Sequence, residues 1–149
     1  MQGEFKQLLS ALQQQDVKLI IVGGLACAFN GFIRTTEDVD ILVETSPGNV
    51  RRLIAVLSAW GDGVAKDLPL EEFRLEPGAI RIEEDFPLDI FTVLGGKTYA
   101  EFIKTARTSP DGFVYLSPAD LIEVKTGTHR EKDQIDILAL RRLLREENS

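Results

Sequence analysis

Two aspartates, Asp38 and Asp40, interrupt an apolar run that otherwise has the composition of a buried β-strand. Side chains two positions apart on a strand point to the same face, so the two carboxylates converge while Val39, Ile41 and Val43 face the other way. Two like charges held this close are costly unless a cation lies between them. The pattern therefore predicts a strand with one apolar face and one cation-binding face, and a divalent metal is the candidate cation.

A third aspartate, Asp89, lies between large apolar residues in a run too hydrophobic for a solvated edge strand. Burying such a charge without a partner costs on the order of several kcal/mol. If its strand pairs beside the Asp38/Asp40 strand, the three carboxylates meet on one face and can hold two Mg²⁺ ions, which prefer carboxylate oxygen and retain water sites for phosphate. Mn²⁺ is the alternative ion. Such a site suits in-line displacement at phosphorus.

Helix and strand patterns alternate along the chain. Strands are predicted over 17–22, 38–43, 79–82, 88–93 and 113–116, and helices over 5–12, 25–30, from 47 to near 61, over 99–106, from 118 and from 131. Ser46 and Ser117 are predicted N-caps, while Thr98 and Thr128 are predicted to open capping boxes. The fold class is α/β or α+β, with a mixed sheet flanked by helices. We expect one domain over 1–149, with a core over about 1–116 and C-terminal helices over about 117–146.

Composition limits the partners and the compartment. A chain of 149 residues, 44% of them hydrophobic, can form one complete core. A net charge of −7 disfavours broad attraction to duplex nucleic acid or to anionic membranes. A single cysteine, Cys27, excludes an intrachain disulfide, and neither a signal peptide nor a membrane span is recognisable. We expect a cytoplasmic protein without a membrane partner.

The last predicted helix carries two acids on its apolar face. At 100° per residue, Asp133 and Asp136 project within the same arc as its leucines. Two acids on a packed face need cations, and Arg34 and Lys125 are the candidates. We expect Asp133 or Asp136 to orient one of these cations toward phosphates or toward an acceptor.

Several motifs together resemble a known family. Gly23-Gly24, followed by 13 positions, then Asp38-x-Asp40 and a later lone aspartate in an apolar strand, resembles the nucleotidyltransferases of the polymerase-β superfamily. Further pieces resemble the small nucleotidyltransferases related to abortive-infection toxins, the AbiEii-like type: Val22-Gly-Gly-Leu-Ala26, Gly31, Arg34-x-Thr36 and Lys125…Arg130-x-Lys132-Asp133-x-x-Asp136. One departure is Leu25, since many members have serine after the glycine.

The resemblance implies a fold, an activity and residue roles. It implies a polymerase-β-like fold that transfers a nucleoside monophosphate from an NTP such as ATP to a hydroxyl of RNA, protein or a small molecule. Asp38 and Asp40 would bind both metal ions, while Asp89 would bind one and deprotonate the acceptor. Residues implied to bind nucleotide or phosphate are Gly23, Gly24, Arg34, Thr36, Lys125 and Arg130. The resemblance also suggests a toxin, with an antitoxin or a second copy as partner.

Each feature also has a simpler explanation. The glycine pair is alternatively a tight strand-to-helix turn without a ligand, and Arg34 a structural ion-pair partner of Asp133 or Asp136. Lys125 and Arg130 are alternatively solvated charges at helix ends. At the level of function, the alternatives are a catalytically silent module that binds nucleotide or a protein partner, and a metal-dependent phosphohydrolase.

Overall fold

The computed structural model describes residues 3–126 and 130–148, which contain a mixed sheet. The strands of these ranges are β1 (Leu19–Val22), β2 (Val39–Val43), β3 (Ala79–Glu83), β4 (Pro87–Phe91), β5 (Arg107–Thr108) and β6 (Val114–Tyr115). Their order in the sheet is β3-β4-β2-β1-β6-β5. The β2–β4 and β1–β6 pairs are parallel, whereas β1–β2, β3–β4 and β5–β6 are antiparallel. The predicted mixed sheet is confirmed.

Helices flank the sheet. In the described part of the chain they are α1 (Gly3–Gln14), α2 (Gly23–Phe29), α3 (Pro47–Ser58), α4 (Tyr99–Phe102), α5 (Pro118–Lys125) and α6 (Glu131–Glu147). Two short 3₁₀ helices, Val64–Asp67 and Leu70–Phe73, join α3 to β3. The C-terminal helices α5 and α6 pack on each other, and α5 also contacts α2. None of the described helices has both the length and the apolar character needed to cross a membrane.

Apolar periodicity explains the core. The stripe of α1 predicted from its spacing, Phe5, Leu8, Leu9 and Leu12, is buried. On β2, Val39, Ile41 and Val43 are buried as expected for one face, and Leu42 on the other face is buried too. The sheet is therefore covered on both faces along most of β2, and polar groups on the Asp40 face are confined to one end of the strand.

Several local predictions need correction. The Ser46 hydroxyl donates to the Glu44 carboxylate instead of capping α3. Helix α4 ends at Phe102 rather than at 106, because the chain turns there into β5, a strand that the sequence did not predict. Asp38 lies one residue before β2 rather than within it.

Other predicted helix caps have mixed outcomes. The Ser117 side chain caps α5, as predicted, by accepting from the Asp120 N–H. The Thr98 N–H donates to the Glu101 carboxylate at 3.3 Å, as a capping box requires. The predicted capping box at Thr128 lies outside the described residues.

Candidate active site

A row of charged side chains crosses three neighbouring strands. The parallel register of β2 and β4 pairs Asp40 with Asp89, which confirms the predicted pairing of these two strands. On the other side of β4, the antiparallel register of β3 pairs Arg81 with Asp89. Residues directly opposite on adjacent strands share a face of the sheet. Arg81, Asp89 and Asp40 therefore lie side by side.

Asp38 joins this row from the residue just before β2. One carboxylate oxygen from each of Asp38, Asp40 and Asp89 lies within 4.8 Å of the others. Converging carboxylate oxygens are the donor set that Mg²⁺ and other hard cations prefer. We call these three residues the aspartate trio, and their chemistry fits a divalent metal site.

Electrostatics of the trio also favour a bound cation. The pKa of Asp40 is raised to about 7, first by burial and then by the charges of Asp38 and Asp89. An acid in these surroundings resists ionisation unless positive charge is supplied nearby. A divalent ion bound by the trio would supply that charge.

Glycine is required at positions 23 and 24 because side chains of the site come too close to the backbone there to leave room for a Cβ atom. Gly23 has φ +65°, and a Cβ at this position would lie 2.1 Å from Asp40 Oδ2. A Cβ at Gly24 would lie 2.8 Å from Arg34 Nη2 and 3.1 Å from Thr36 Oγ1. Because β1 ends at Val22 and α2 begins at Gly23, the pair also forms the tight turn that was the simpler explanation. Both glycines thus line the space beside the trio.

Substituting Gly23 with alanine is expected to displace the Asp40 carboxylate. We expect a loss of about 3 kcal/mol of unfolding free energy and at least about tenfold weaker Mn²⁺ binding, since the new methyl group takes the place of a ligand oxygen. The matched control is Gly96→Ala, because Gly96 has φ +77° and open space around its Cβ position. It should lose only about 1 kcal/mol, from backbone strain, and keep its Mn²⁺ affinity. Equal Mn²⁺ affinities in the two variants would contradict this account. Urea unfolding and Mn²⁺ titration supply the two measurements.

Five charged residues form an alternating chain of ion pairs, which we call the charge chain. Arg34 donates to both oxygens of Asp136, at 2.8 and 3.0 Å. Lys125 Nζ lies 2.9 Å from Asp136 Oδ2 and 3.1 Å from Asp133 Oδ1. Arg130 Nε donates to Asp133 Oδ2 at 2.8 Å. The predicted pairing of Arg34 and Lys125 with the two acids of the last helix is confirmed.

Burial increases toward the middle of the charge chain. Asp133 and Asp136 are buried, the Lys125 side chain is 9% exposed, and that of Arg130 is 65% exposed. Burial alone would lower the pKa of Lys125, but its contacts with Asp136 and Asp133 raise it overall. Lys125 is therefore not the solvated helix-end charge of the simpler explanation, while Arg130 is largely solvated. The charge chain ties the loop before β2 to α5 and α6.

A cleft of about 480 Å³ joins the aspartate trio to the charge chain. This volume lies within the range of small-molecule sites. Acidic residues from β2, β4, α6 and the loop before β2 line it together with basic residues from β3, α5, α6 and the loops before β2 and α6. The lining charges are Glu37, Asp38, Asp40, Asp89, Asp133, Arg34, Arg81, Lys125, Arg130 and Lys132. Gly23, Gly24 and Thr36 also line it, so the cleft gathers every residue predicted to bind metal, nucleotide or phosphate. Asp136 is not among the residues that line the cleft, but it accepts a hydrogen bond from Arg34, which is.

The sequence analysis missed Arg81. Its guanidinium donates to both oxygens of Asp89, at 2.9 and 3.1 Å, and to Asp38 Oδ2 at 3.3 Å. A signal was present, since only three residues, 84–86, separate β3 from β4. A hairpin closed by so short a connection fixes the register and places Arg81 opposite Asp89.

The fold and a family comparison identify the class of protein to which the chain belongs. A mixed sheet with flanking and C-terminal helices is consistent with a nucleotidyltransferase fold. The chain belongs to a family of nucleotidyltransferases of unknown function (DUF6036), whose family model matches residues 2–93. A search of curated proteins found no match to the chain. The matched range contains the aspartate trio, the glycine pair and Arg81, and it ends before α5 and α6.

Proposed function

We propose that this protein transfers a nucleoside monophosphate from an NTP to a hydroxyl acceptor, with Mg²⁺ or Mn²⁺ bound by Asp38, Asp40 and Asp89. The observation that carries the proposal is the β2–β4 register, which sets Asp40 beside Asp89 with an Asp38 oxygen within 4.8 Å. The resemblance of the motifs to the polymerase-β superfamily, and to its abortive-infection type, supports the same reaction. A role as the toxin of a toxin–antitoxin pair is part of this proposal.

Asp89 is the proposed general base. A carboxylate at the centre of the row can accept the proton of an acceptor hydroxyl held in the cleft. The acceptor oxygen then bonds to the α-phosphorus of the NTP, the bond to the bridging oxygen breaks, and pyrophosphate leaves. Two divalent ions at the trio would lower the pKa of the hydroxyl and neutralise the triphosphate and the pyrophosphate.

The basic residues of the cleft, together with Thr36 and the glycine pair, are proposed to hold the phosphates. Thr36 and the backbone of Gly23 and Gly24 lie next to the trio, where an approaching phosphate meets no side chain from the glycines. Arg130 is solvated on one side and held by Asp133 on the other, so its guanidinium can contact an anion at the mouth of the cleft. Arg34 and Lys125 are held in place by Asp136, which favours a positioned charge over a mobile one.

One observation favours a second candidate, a catalytically silent member of the family. Arg81 satisfies both oxygens of Asp89 with its own hydrogen bonds. A guanidinium fixed permanently in that position would exclude metal ions from the trio. Such a protein would bind nucleotide or a partner through the same cleft without transferring a nucleotide.

The direct test supplies each α-labelled NTP with Mg²⁺ or Mn²⁺ and a panel of total tRNA, protein extract and aminoglycosides. We expect labelled acceptor and pyrophosphate, with the rate lowered by about two orders of magnitude or more in Asp40→Asn. The matched control is Asp111→Asn, an exposed acid outside the cleft, which should keep the wild-type rate.

The other outcomes of this assay separate the alternatives. Release of phosphate without any labelled acceptor identifies a phosphohydrolase. Nucleotide binding in isothermal titration without either product identifies the silent module. Label transfer that persists in Asp40→Asn contradicts the mechanism.

A further inference from the structure

Arg81 occupies the oxygens that the proposed reaction needs. Its Nε and Nη2 donate to Asp89 Oδ1 and Oδ2, and Nη2 also reaches Asp38 Oδ2. A divalent ion and a guanidinium both approach a carboxylate oxygen along its lone pairs, so they can contact it from the same directions. An ion that takes an Asp89 oxygen would compete with Arg81 for its lone pairs and would repel the guanidinium charge. Arg81 and a divalent ion compete for the trio.

The position of Arg81 lets it move away from the trio. It lies on β3, an edge strand of the described sheet, and its side chain is 48% exposed. Ala79, Arg81 and Glu83 are all exposed, so its face of β3 is open to solvent, whereas Ile82 on the other face is buried. Glu83 Oε1, 3.4 Å from Arg81 Nη1, is a neighbouring acceptor outside the trio.

We propose that Arg81 is a substrate-binding residue that changes partner, holding Asp89 and Asp38 until divalent ions bind and then pairing with the triphosphate of the NTP. The inference rests on the proposed function. Arg81 lines the same cleft as the trio, and its guanidinium has the planar donor fork that binds phosphate bidentately. Displacement by the ion frees this fork beside the anionic substrate. Nucleotide and metal would then strengthen each other's binding, because either ligand draws Arg81 away from Asp89 and Asp38.

Arg81→Gln is the variant that tests the exchange. Without nucleotide, we expect the variant to bind Mn²⁺ about tenfold more tightly than the wild type, because a competing cation has been removed. We expect it to bind the non-hydrolysable ATP analogue with an α,β-methylene bridge about tenfold more weakly, because the phosphate partner is lost. Electron paramagnetic resonance of free Mn²⁺ measures the first quantity, and isothermal titration of the analogue measures the second. A purely structural arginine would leave the affinity for the analogue unchanged when it is removed.

Two further variants complete the design. Arg74→Gln removes the same charge from an exposed arginine that pairs with Glu76 outside the cleft, and it should match the wild type in both titrations. Arg81→Lys keeps the charge but loses the fork, so both of its affinities should lie between those of wild type and Arg81→Gln.

The outcomes separate this inference from the proposed function. Mn²⁺ binding that is no tighter in Arg81→Gln than in Arg74→Gln overturns the exchange, while binding by the wild type still supports the metal site. Unchanged affinity of Arg81→Gln for the analogue also overturns the exchange. Absence of Mn²⁺ binding in the wild type and in every variant overturns the proposed function and the exchange together.

Discussion

Replacing Asp40 with asparagine is expected to raise the free energy of unfolding by about 2 kcal/mol at pH 8 in buffer without divalent ions. The pKa of Asp40 is raised to about 7 by burial and by the charges of Asp38 and Asp89. At pH 8 the folded protein therefore carries a carboxylate whose ionised form is disfavoured. A neutral amide of nearly the same shape removes this repulsion. Most substitutions of a partly buried polar residue destabilise a protein, so an increase in the free energy of unfolding would be a distinctive result.

The pH dependence of this effect follows from the same shift. The pKa of Asp40 in the folded protein lies above its ordinary value of 3.8, so between about pH 4 and pH 7 the folded protein holds a proton that the unfolded chain has lost. The contribution of Asp40 to stability is therefore complete below that window and is lost as the pH rises through it. The gain from Asp40→Asn should be smaller at pH 5 than at pH 8 and should grow between the two. Urea unfolding at both pH values measures it.

Divalent ions should reverse the order of stability. Saturating Mg²⁺ should stabilise the wild type by binding its folded state, whereas Asp40→Asn would lack a proposed ligand and should gain little. The control Asp111→Asn, an exposed acid outside the cleft, should follow the wild type under all conditions. An Asp40→Asn protein that is less stable than the wild type at pH 8, or that gains as much from Mg²⁺, would contradict this account of the trio.

Asp136→Asn is expected to lower the free energy of unfolding by about 3 kcal/mol. Asp136 is buried and accepts from Arg34 and Lys125, so its neutralisation leaves the three cations of the charge chain with one carboxylate, that of Asp133. Loss of one member of a buried ion network is costly, because the remaining charges stay desolvated. Urea unfolding measures the change.

Nucleotide affinity distinguishes a positioning role of Asp136 from a purely structural one. If Asp136 orients Arg34 and Lys125 toward phosphates, the folded variant should bind the α,β-methylene ATP analogue about tenfold more weakly. Glu146→Ala, on the exposed surface of the same helix, removes the ion pair with Arg142 and should change stability by less than about 0.5 kcal/mol. Unchanged stability together with unchanged nucleotide affinity in Asp136→Asn would remove the charge chain from the mechanism.

Much of this site could be predicted because its signals are local. Alternation in the Asp38–Val43 run places its carboxylates on one face, and helical periodicity places Asp133 and Asp136 on the packed face of α6. Because buried carboxylates need counter-ions, the candidate partners of Asp133 and Asp136 are then restricted to a few cations. Arg34 and Asp136 are 102 residues apart in sequence, and the requirement for a counter-ion was sufficient to predict Arg34 as a partner of Asp133 or Asp136.

The role of Arg81 could not be predicted from its own segment of the sequence. The sequence predicted the β3 strand, but the importance of Arg81 depends on the register of β3 against β4, which is a property of two segments and their connection. Strand β5 and the early end of α4 were missed for a related reason. A two-residue strand has too short a pattern to recognise, and it exists through its pairing with β6.

The most direct test of the proposed metal site is a crystal structure obtained with Mn²⁺ and the α,β-methylene ATP analogue, with data collected for anomalous scattering from manganese. The account predicts anomalous peaks about 2.1 Å from oxygens of Asp38, Asp40 and Asp89, with the Arg81 guanidinium moved from Asp89 to the triphosphate. Nucleotide bound in the cleft without manganese at these three carboxylates, and with Arg81 still donating to both oxygens of Asp89, would contradict it.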